Sequence, residues 1–486
     1  MRTFIIAFFL FLFLALNSRL CAQLSKADTM SLVKTASIIL KPELHYRYNL
    51  HSDYATQTVV KRTNNFNNTI IPSDTMELKQ KLKNNLSDAT VCFKLYNLYK
   101  NIYNYKSSRF YLHKSIFWFQ EILKTNPLDS AAVMNLSILY SEDHDYDGMK
   151  AAYKILAQVL SEKEQPYTML CMLYMSKPDS VDYFLSQYNQ KIKDSYKKMV
   201  LVATVKALQN AIHVNPKDST NFRNKDYTAF TDWTIIEGIY KENKNKPEYQ
   251  LVYHSIKTYL IGIQFTIFGS EVLKRYESDL KELEAYYLDC IKSKVYTNKL
   301  LPYLSLSAVY TFQKKYDLAL SAHDKAYKWM KEYRVTDQNE SEEIIDSYLK
   351  LFDLAHRYKE GADFIKKLIH ENEYNLYYRK VYIYFLYQSE FSNEINIQAS
   401  KIDFYNHADL YPQLVYAYEA LKNHHYDAMY KELTNAYAKN SSAPEVFAFM
   451  AVLNILHGNY PEAKKNIADI KPSMPSMAEK LSQFMK

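Results

Sequence analysis

Near the end of this 486-residue chain, the stretches NHHYDAM around Tyr426 and HGNYPEA around Tyr460 set their tyrosines 34 positions apart. Each stretch follows an apolar run with helical spacing and precedes another. A period of that length holding two helices and a turn restricts the chain to stacked helix pairs. One pair cannot bury its apolar face alone, so each borrows a wall from its neighbours. Glycine usage points the same way. The chain has 6 glycines, too few for a sandwich, a barrel or a Rossmann-type sheet, all of which use glycine in their turns.

The period recurs upstream. YLSLSAVYTFQKKYDLALSAHDKAYKWM sets Tyr303, Leu306, Ser307, Tyr310, Tyr316, Ala319, His323 and Ala326 at repeat positions. AAVMNLSILYSEDHDYDGMKAAYKILAQVL does the same with Leu136, Ser137, Tyr140, Tyr146, Met149 and Tyr153, and Gly148 there meets no demand of its own. Less regular units surround Tyr358 and Phe391. Apolar helices run out at Asn126-Pro127 and Asn215-Pro216, where proline disfavours helix before it and starts the next element well. Small residues at Ser137, Ser307, Ala417 and Ala451 allow close helix approach. In these landmarks, residues 80 to 475 resemble the tetratricopeptide (TPR) repeat family. The resemblance implies an all-α fold, an α-α superhelix built as a TPR-like solenoid of antiparallel helix pairs. The 46 tyrosines then serve mainly as packing with a polar tip. Tyr316→Ala or Tyr460→Ala is expected to lower stability by about 3 kcal/mol.

Organisation along the chain follows from pattern changes. Residues 1–22 read as a signal peptide, with Arg2 ahead of the apolar core IIAFFLFLFLAL and a cleavage point after Ala22. Leu20 before Cys21 argues against lipidation at that cysteine. Residues 23–75 read as an irregular N-terminal arm or cap, with Asp74 and Glu77 as a capping box for the first helix. TPR-like helices are expected over 76–216, an irregular break or bend over 217–250, and a divergent helical pair over 251–298. TPR-like repeats return over 299–472, and 473–486 form a capping tail. The run YLIGIQFTIFG is apolar, but Gln264 and its short length make it a buried helix rather than a membrane span. The LCAQ ending and a Lys-, Asn- and Tyr-rich mature chain resemble exported proteins of the Bacteroidetes, which implies a periplasmic or outer-membrane-associated location.

No catalytic chemistry is legible. There is no His-Glu-x-x-His, no Cys-x-x-Cys, no nucleophile elbow and no Gly-rich phosphate loop. No cofactor or metal site is expected: Cys92, Cys171 and Cys290 read as buried thiols, His323 as a packed histidine, and His424 and His425 as turn residues. A net charge of +8 spread over mixed signs does not suit a nucleic-acid face.

What remains is protein binding. In the TPR family the first helix of each repeat lines the concave groove. The resemblance places Leu304, Ala308, Thr311 and Phe312 there in one unit. It places Tyr411, Leu414, Tyr418 and Lys422 there in another, and Ala448, Val452 and Ile455 in the last. These positions are mainly apolar or aromatic, unlike the Lys/Asn/Arg clamps that hold a partner's terminal carboxylate. They suit an apolar peptide, a partner helix or another solenoid face. The alternatives are a glycan-binding envelope protein using a tyrosine-rich surface, and an enzyme hidden in the irregular 217–300 region.

Overall fold

The computed structural model describes residues 26–44, 72–101, 105–163, 165–192, 195–213, 226–333, 338–389 and 394–485. The signal-like stretch, most of the 23–75 segment, Asn215-Pro216 and Phe391 lie outside the described residues. Within them the chain is all-α, without a β-strand. A helix α1 (Lys26–Ala36) and a 3-10 turn (Ser37–Leu40) come first, followed by α2 (Pro72–Asn84), α3 (Ala89–Asn101) and α4 (Tyr105–Thr125). Next are α5 (Ser130–Glu142), α6 (Tyr146–Val159), α7 (Gln165–Leu173), α8 (Pro178–Lys191) and α9 (Ser195–His213). A 3-10 turn (Tyr227–Phe230) precedes α10 (Trp233–Asn243) and α11 (Pro247–Phe268); another (Ser270–Tyr276) leads into α12 (Glu277–Lys292). Then come α13 (Leu300–Phe312), α14 (Tyr316–Glu332), α15 (Gln338–Leu354), α16 (Tyr358–Glu371), α17 (Leu376–Gln388) and α18 (Ile395–Tyr405). The last are α19 (Tyr411–Lys422), α20 (Tyr426–Lys439), α21 (Pro444–Leu456), α22 (Tyr460–Ile470) and α23 (Pro475–Ser482).

These elements form two compact units: residues 72–100 with 105–356, and residues 357–485 with the N-terminal 26–43. The division falls in the turn between α15 and α16, inside the stretch that the sequence presents as one repeat array. Within each unit, neighbours in sequence are neighbours in space. The closest pairings are α5 with α6 and α13 with α14 in the first unit, and α19 with α20 and α21 with α22 in the second. This is the TPR-like arrangement of antiparallel helix pairs.

One local device makes each of these pairs. At the end of the leading helix a residue takes left-handed backbone: His144 (φ 57), Lys314 (φ 58), His424 (φ 58) or Gly458 (φ 66). The repeat tyrosine, Tyr146, Tyr316, Tyr426 or Tyr460, follows two residues later and opens the return helix. The hydrogen bonds are those of a Schellman ending, which satisfies carbonyls that the helix leaves without partners. Asp145 N donates to the Tyr140 carbonyl (2.9 Å), Lys315 N to Tyr310 (2.9 Å), His425 N to Ala420 (2.8 Å) and Asn459 N to Asn454 (2.8 Å). Glycine is the natural occupant of such a position, and histidine tolerates it at some expense.

The small repeat residues sit where helices touch: Ser137, Ser307, Ala417 and Ala451 are all fully buried. Ser307 Oγ donates to the Ala319 carbonyl across the α13–α14 pair (3.0 Å). N-caps come from side chains that prefer that role. Asp129 accepts from Ala132 N (2.9 Å), Asp145 from Gly148 N (2.9 Å) and Asn375 from Tyr378 N (3.0 Å). In the first unit, Tyr96, Leu112, Ile116, Phe119, Leu136 and Leu139 make one core cluster.

Several local expectations need revision. Gly148 is not an indifferent position: a Cβ there would come within 2.8 Å of the Tyr140 ring and 2.5 Å of Asp145 Oδ2. The first-unit helix read as capped by Asp74 starts at Pro72, so Asp74 lies inside its first turn rather than before it. Within 217–250, α10 and the Tyr227–Phe230 turn are regular, and only residues 244–246 separate α10 from α11. The turn tyrosines are less enclosed than packing residues should be. Tyr146 is 60% exposed, and Tyr316, Tyr426 and Tyr460 are half-buried, because they flank the turn rather than fill the core.

No helix of the described residues is long and apolar enough to cross a membrane. The YLIGIQFTIFG run lies in α11, where Gln264 is fully buried and accepts from the Tyr276 hydroxyl. The tail contributes α23, which buries Met477, Ala478 and Leu481 against α21 and α22.

Candidate functional site on the inner helices of the second unit

In the second unit the leading helices α17, α19 and α21 share a side, and that side carries the arm. The 3-10 turn Ser37–Leu40 packs against α17, α19 and α21, while α1 packs against α19, α21 and α23. Segment 26–43 therefore seats on the leading helices of the repeats, the positions the TPR resemblance assigns to a groove. The physical reason is legible in the arm. Ala36 follows Leu32 by four positions, and Ile39 and Leu40 follow Ala36 by three and four, so they form a single apolar edge. All four are buried, Leu32, Ala36 and Leu40 completely. The opposite edge, with Ala27, Met30, Ser31 and Lys34, faces solvent.

Polar contacts fix the register. The Tyr411 hydroxyl donates to the Leu40 carbonyl (2.7 Å), with the Lys380 carbonyl 3.1 Å away as a second acceptor. Gln388 Nε2 donates to Ser37 Oγ (3.2 Å), and Ser37 Oγ in turn donates to the Lys34 carbonyl (2.7 Å). At the far end the Tyr377 hydroxyl donates to the Glu43 carbonyl (3.3 Å), and Lys41 Nζ lies 5.6 Å from the centre of the Tyr384 ring. Tyr411 is itself held from behind. Lys380 Nζ lies 5.4 Å over its ring and pairs with Asp409 (2.6 Å).

The site residues named by the sequence fall into three environments. Tyr411 (8% exposed), Leu414 (1%) and Tyr418 (6%) lie together on α19, in the face that the arm covers. The Tyr418 ring packs edge-on against Tyr387 (4.8 Å), and burial pushes its hydroxyl up to about 12 against the influence of Ser37. Burial, with Asp409 second, raises the Tyr411 hydroxyl well above the ordinary tyrosine range, so it is a donor at every physiological pH. Lys422 stands at the exposed end of α19, 3.2 Å from Glu419 and 5.5 Å from the centre of the Tyr387 ring. Phe312 belongs to the other unit and faces no open groove. It is buried in the packing of α13 on α11, beside Phe265 (5.6 Å) and over Gly262. Leu304, Ala308 and Thr311 are buried with it, and Ala448, Val452 and Ile455 are buried in α21.

The residues missed from sequence are the arm's own, Leu32, Ala36, Ser37, Ile39 and Leu40, together with Tyr377, Tyr384 and Gln388. The stretch SLVKTASIIL carries a helical apolar spacing that could have flagged the first set.

The thiols and the histidine singled out elsewhere are enclosed in the packing. Cys92, Cys171 and Cys290 are free and buried, and desolvation raises all three thiols, Cys171 to about 12. His323 is 1% exposed, with Nε2 donating to the Ile344 carbonyl (2.8 Å) and Nδ1 3.3 Å from Ser307 Oγ. Among the described residues no group of His, Cys, Asp and Glu side chains is placed to hold a metal ion. The irregular region packs its aromatics on one another: Tyr227 meets Trp233 (5.6 Å), Trp233 meets Tyr253 (5.3 Å), and Tyr253 stacks on Tyr240 (3.9 Å).

Helix pairs, the repeated left-handed turn and leading helices that seat a peptide segment together define a TPR-like helix-repeat protein. No protein-family model matches the chain, and no curated protein matches it. Among solved structures it is similar to the TPR domain of P58(IPK), at 11% identity over 82% of this chain and 98% of that one, with a TM-score of 0.20. It is also similar to yeast Tom70, at 11% identity over 85% and 88% of the two chains, TM-score 0.26. The APC/C hetero-tetramer Cut9-Hcn1 gives 11% identity over 85% and 93%, TM-score 0.28.

Proposed function

We propose that this chain is an exported, non-catalytic TPR-like scaffold that binds a protein partner, in the periplasm or in association with the outer membrane. The observation that carries the binding half is the seat on α17, α19 and α21. These helices engage a polypeptide segment through an apolar surface and through hydrogen bonds to its main-chain carbonyls, the means by which a groove recognises a peptide or helix. The export half is supported by the sequence, in Arg2 and the apolar core IIAFFLFLFLAL. Glycan binding through a tyrosine surface finds little support. Of the described tyrosines, Tyr146, Tyr183 and Tyr437 are the well-exposed ones, and they stand on three different helices.

Affinity capture from envelope extract with the intact chain tests the reading. A protein retained at constant stoichiometry and competed off by untagged chain supports it. Retention of only background proteins, or recovery of the chain in the cytoplasmic fraction, contradicts it.

A further inference from the structure

We propose that residues 26–43 are an exchangeable ligand of the second unit. On this view a partner's amphipathic helix, ending in a hydroxyl residue and an aliphatic turn, takes the same seat and displaces them. The inference rests on the protein-binding reading above and names the partner's chemistry.

Three features separate an exchangeable ligand from a permanent part of the core. The first is how the segment is read. Tyr411 and Tyr377 take the main-chain carbonyls of Leu40 and Glu43, groups that any sequence presents, and Gln388 takes a hydroxyl at Ser37. The seat therefore specifies a pattern: aliphatic side chains at the places of Leu32, Ile39 and Leu40, a small one at Ala36 and a hydroxyl at 37. A different polypeptide can meet every one of those demands.

The second feature is how the segment is held. α1 and its turn lie on the leading helices as an added layer, with Met30 (67% exposed) on the side away from them. The repeats do not use the arm to pack on one another. α19 pairs with α20, α21 with α22, and α22 with α23, in direct sequence order. Lifting the arm uncovers α17, α19 and α21 and leaves those pairings in place.

The third is the nature of the segment. α1 has 11 residues, below the length at which an isolated helix holds together in water, roughly 12 to 15 residues. Its helix is ordered by the seat, as for a segment that folds on binding. It arrives from far away in sequence, 371 positions from Leu40 to Tyr411. Its advantage over a partner is therefore its effective concentration, which a partner of higher intrinsic affinity overcomes.

The test keeps the chain intact and uses a fluorescently labelled synthetic peptide spanning residues 26–43 as the probe. Leu32→Asp with Leu40→Asp places charges on the buried edge of the resident arm and vacates the seat. That variant is expected to bind the peptide at least about ten-fold more tightly than the unsubstituted chain, because the internal competitor is gone. Adding Tyr411→Phe is expected to weaken peptide binding by about five-fold, the loss of one hydrogen bond. The milder Leu40→Ala, expected to give a smaller gain in the same direction, serves if the double substitution disturbs folding. Equal peptide binding by substituted and unsubstituted chains overturns the proposal. So does loss of the helical circular dichroism signal in both arm variants, which would make the arm a fixed core element. Peptide binding without a captured envelope partner would count against the scaffold reading alone; a captured partner without peptide binding would count against exchange alone.

Discussion

The hydroxyl of Tyr411 meets the carbonyl of Leu40 at 2.7 Å, across 371 positions of chain. The contact joins a repeat helix to the N-terminal arm and sits on the very face where the repeat pattern places a groove. A tyrosine that looked available for a partner already has one, supplied by its own chain.

Removing that hydroxyl should be felt in stability. Tyr411→Phe is expected to lower the stability of the second unit by about 1 kcal/mol, the usual net worth of one hydrogen bond, with the ring contacts retained. Urea titration followed by far-UV circular dichroism reads it; an unchanged midpoint would mean that the contact carries no weight.

The turn geometry makes an opposite-signed pair of predictions. His424 (φ 58) and Lys314 (φ 58) hold left-handed backbone that costs an L-residue roughly 1–2 kcal/mol, partly offset by glycine's greater chain entropy when unfolded. His424→Gly and Lys314→Gly should each raise stability by up to about 1 kcal/mol, whereas Gly458→Ala should lower it by about the same. Thermal melts of the three variants check the signs, and stabilisation by Gly458→Ala would refute the account of the turn.

Gly148 tests close packing. Alanine is the better helix former, yet its Cβ would enter the space of the Tyr140 ring at 2.8 Å. Gly148→Ala should therefore destabilise, by about 1–2 kcal/mol, as overpacking usually does. A gain in melting temperature would show that Tyr140 swings aside freely.

How much of this was legible in the sequence depends on whether the signal is local. Turn and helix-pair positions such as Tyr426, Tyr460, Ser307 and Ala451 are set by contacts within a repeat, so a period of 34 reveals them. Their burial is not, because the register fixes which helix a residue opens but not how deeply it sits. Half-buried Tyr316 and Tyr460 should lose only about 1–2 kcal/mol on truncation to alanine, less than the 3 to 5 kcal/mol typical of a fully enclosed aromatic. The α19 face was legible as special, through Tyr411, Leu414 and Tyr418, but its occupant was not. Leu40 reaches Tyr411 through tertiary structure alone, and no spacing in one sequence reports a contact between segments so far apart. The enclosure of Phe312 was hidden for a related reason: α11 comes from outside the repeat pattern and packs on α13 through Phe265 and Gly262.

Acid should weaken the first unit through His323. Burial pushes its imidazole down to about 4, against the Ile344 carbonyl and Asp324, whereas the unfolded side chain titrates near 6.5. Between those values the unfolded chain binds the extra proton. The contribution is thus fully present above about pH 6.5, is lost as pH falls toward 4, and amounts to at most about 3 kcal/mol. His254 in the same unit is also depressed by burial and adds in the same direction, and His457 acts likewise in the second unit. Stability measured from pH 7 to pH 4 should fall, and His323→Gln should flatten much of that slope. An identical slope in the variant would assign the loss elsewhere.

The central claim, that the leading helices of the second unit seat residues 26–43, is tested most directly by amide hydrogen exchange on the intact chain. Arm amides with intrahelical or turn bonds, such as Lys41 N to the Ile38 carbonyl, should be protected by orders of magnitude over an unstructured peptide. Leu414→Asp, on the buried side of α19, should abolish that protection while the α21–α22 pair keeps its own. Unprotected arm amides in the unsubstituted chain, or protection unchanged by Leu414→Asp, would contradict it.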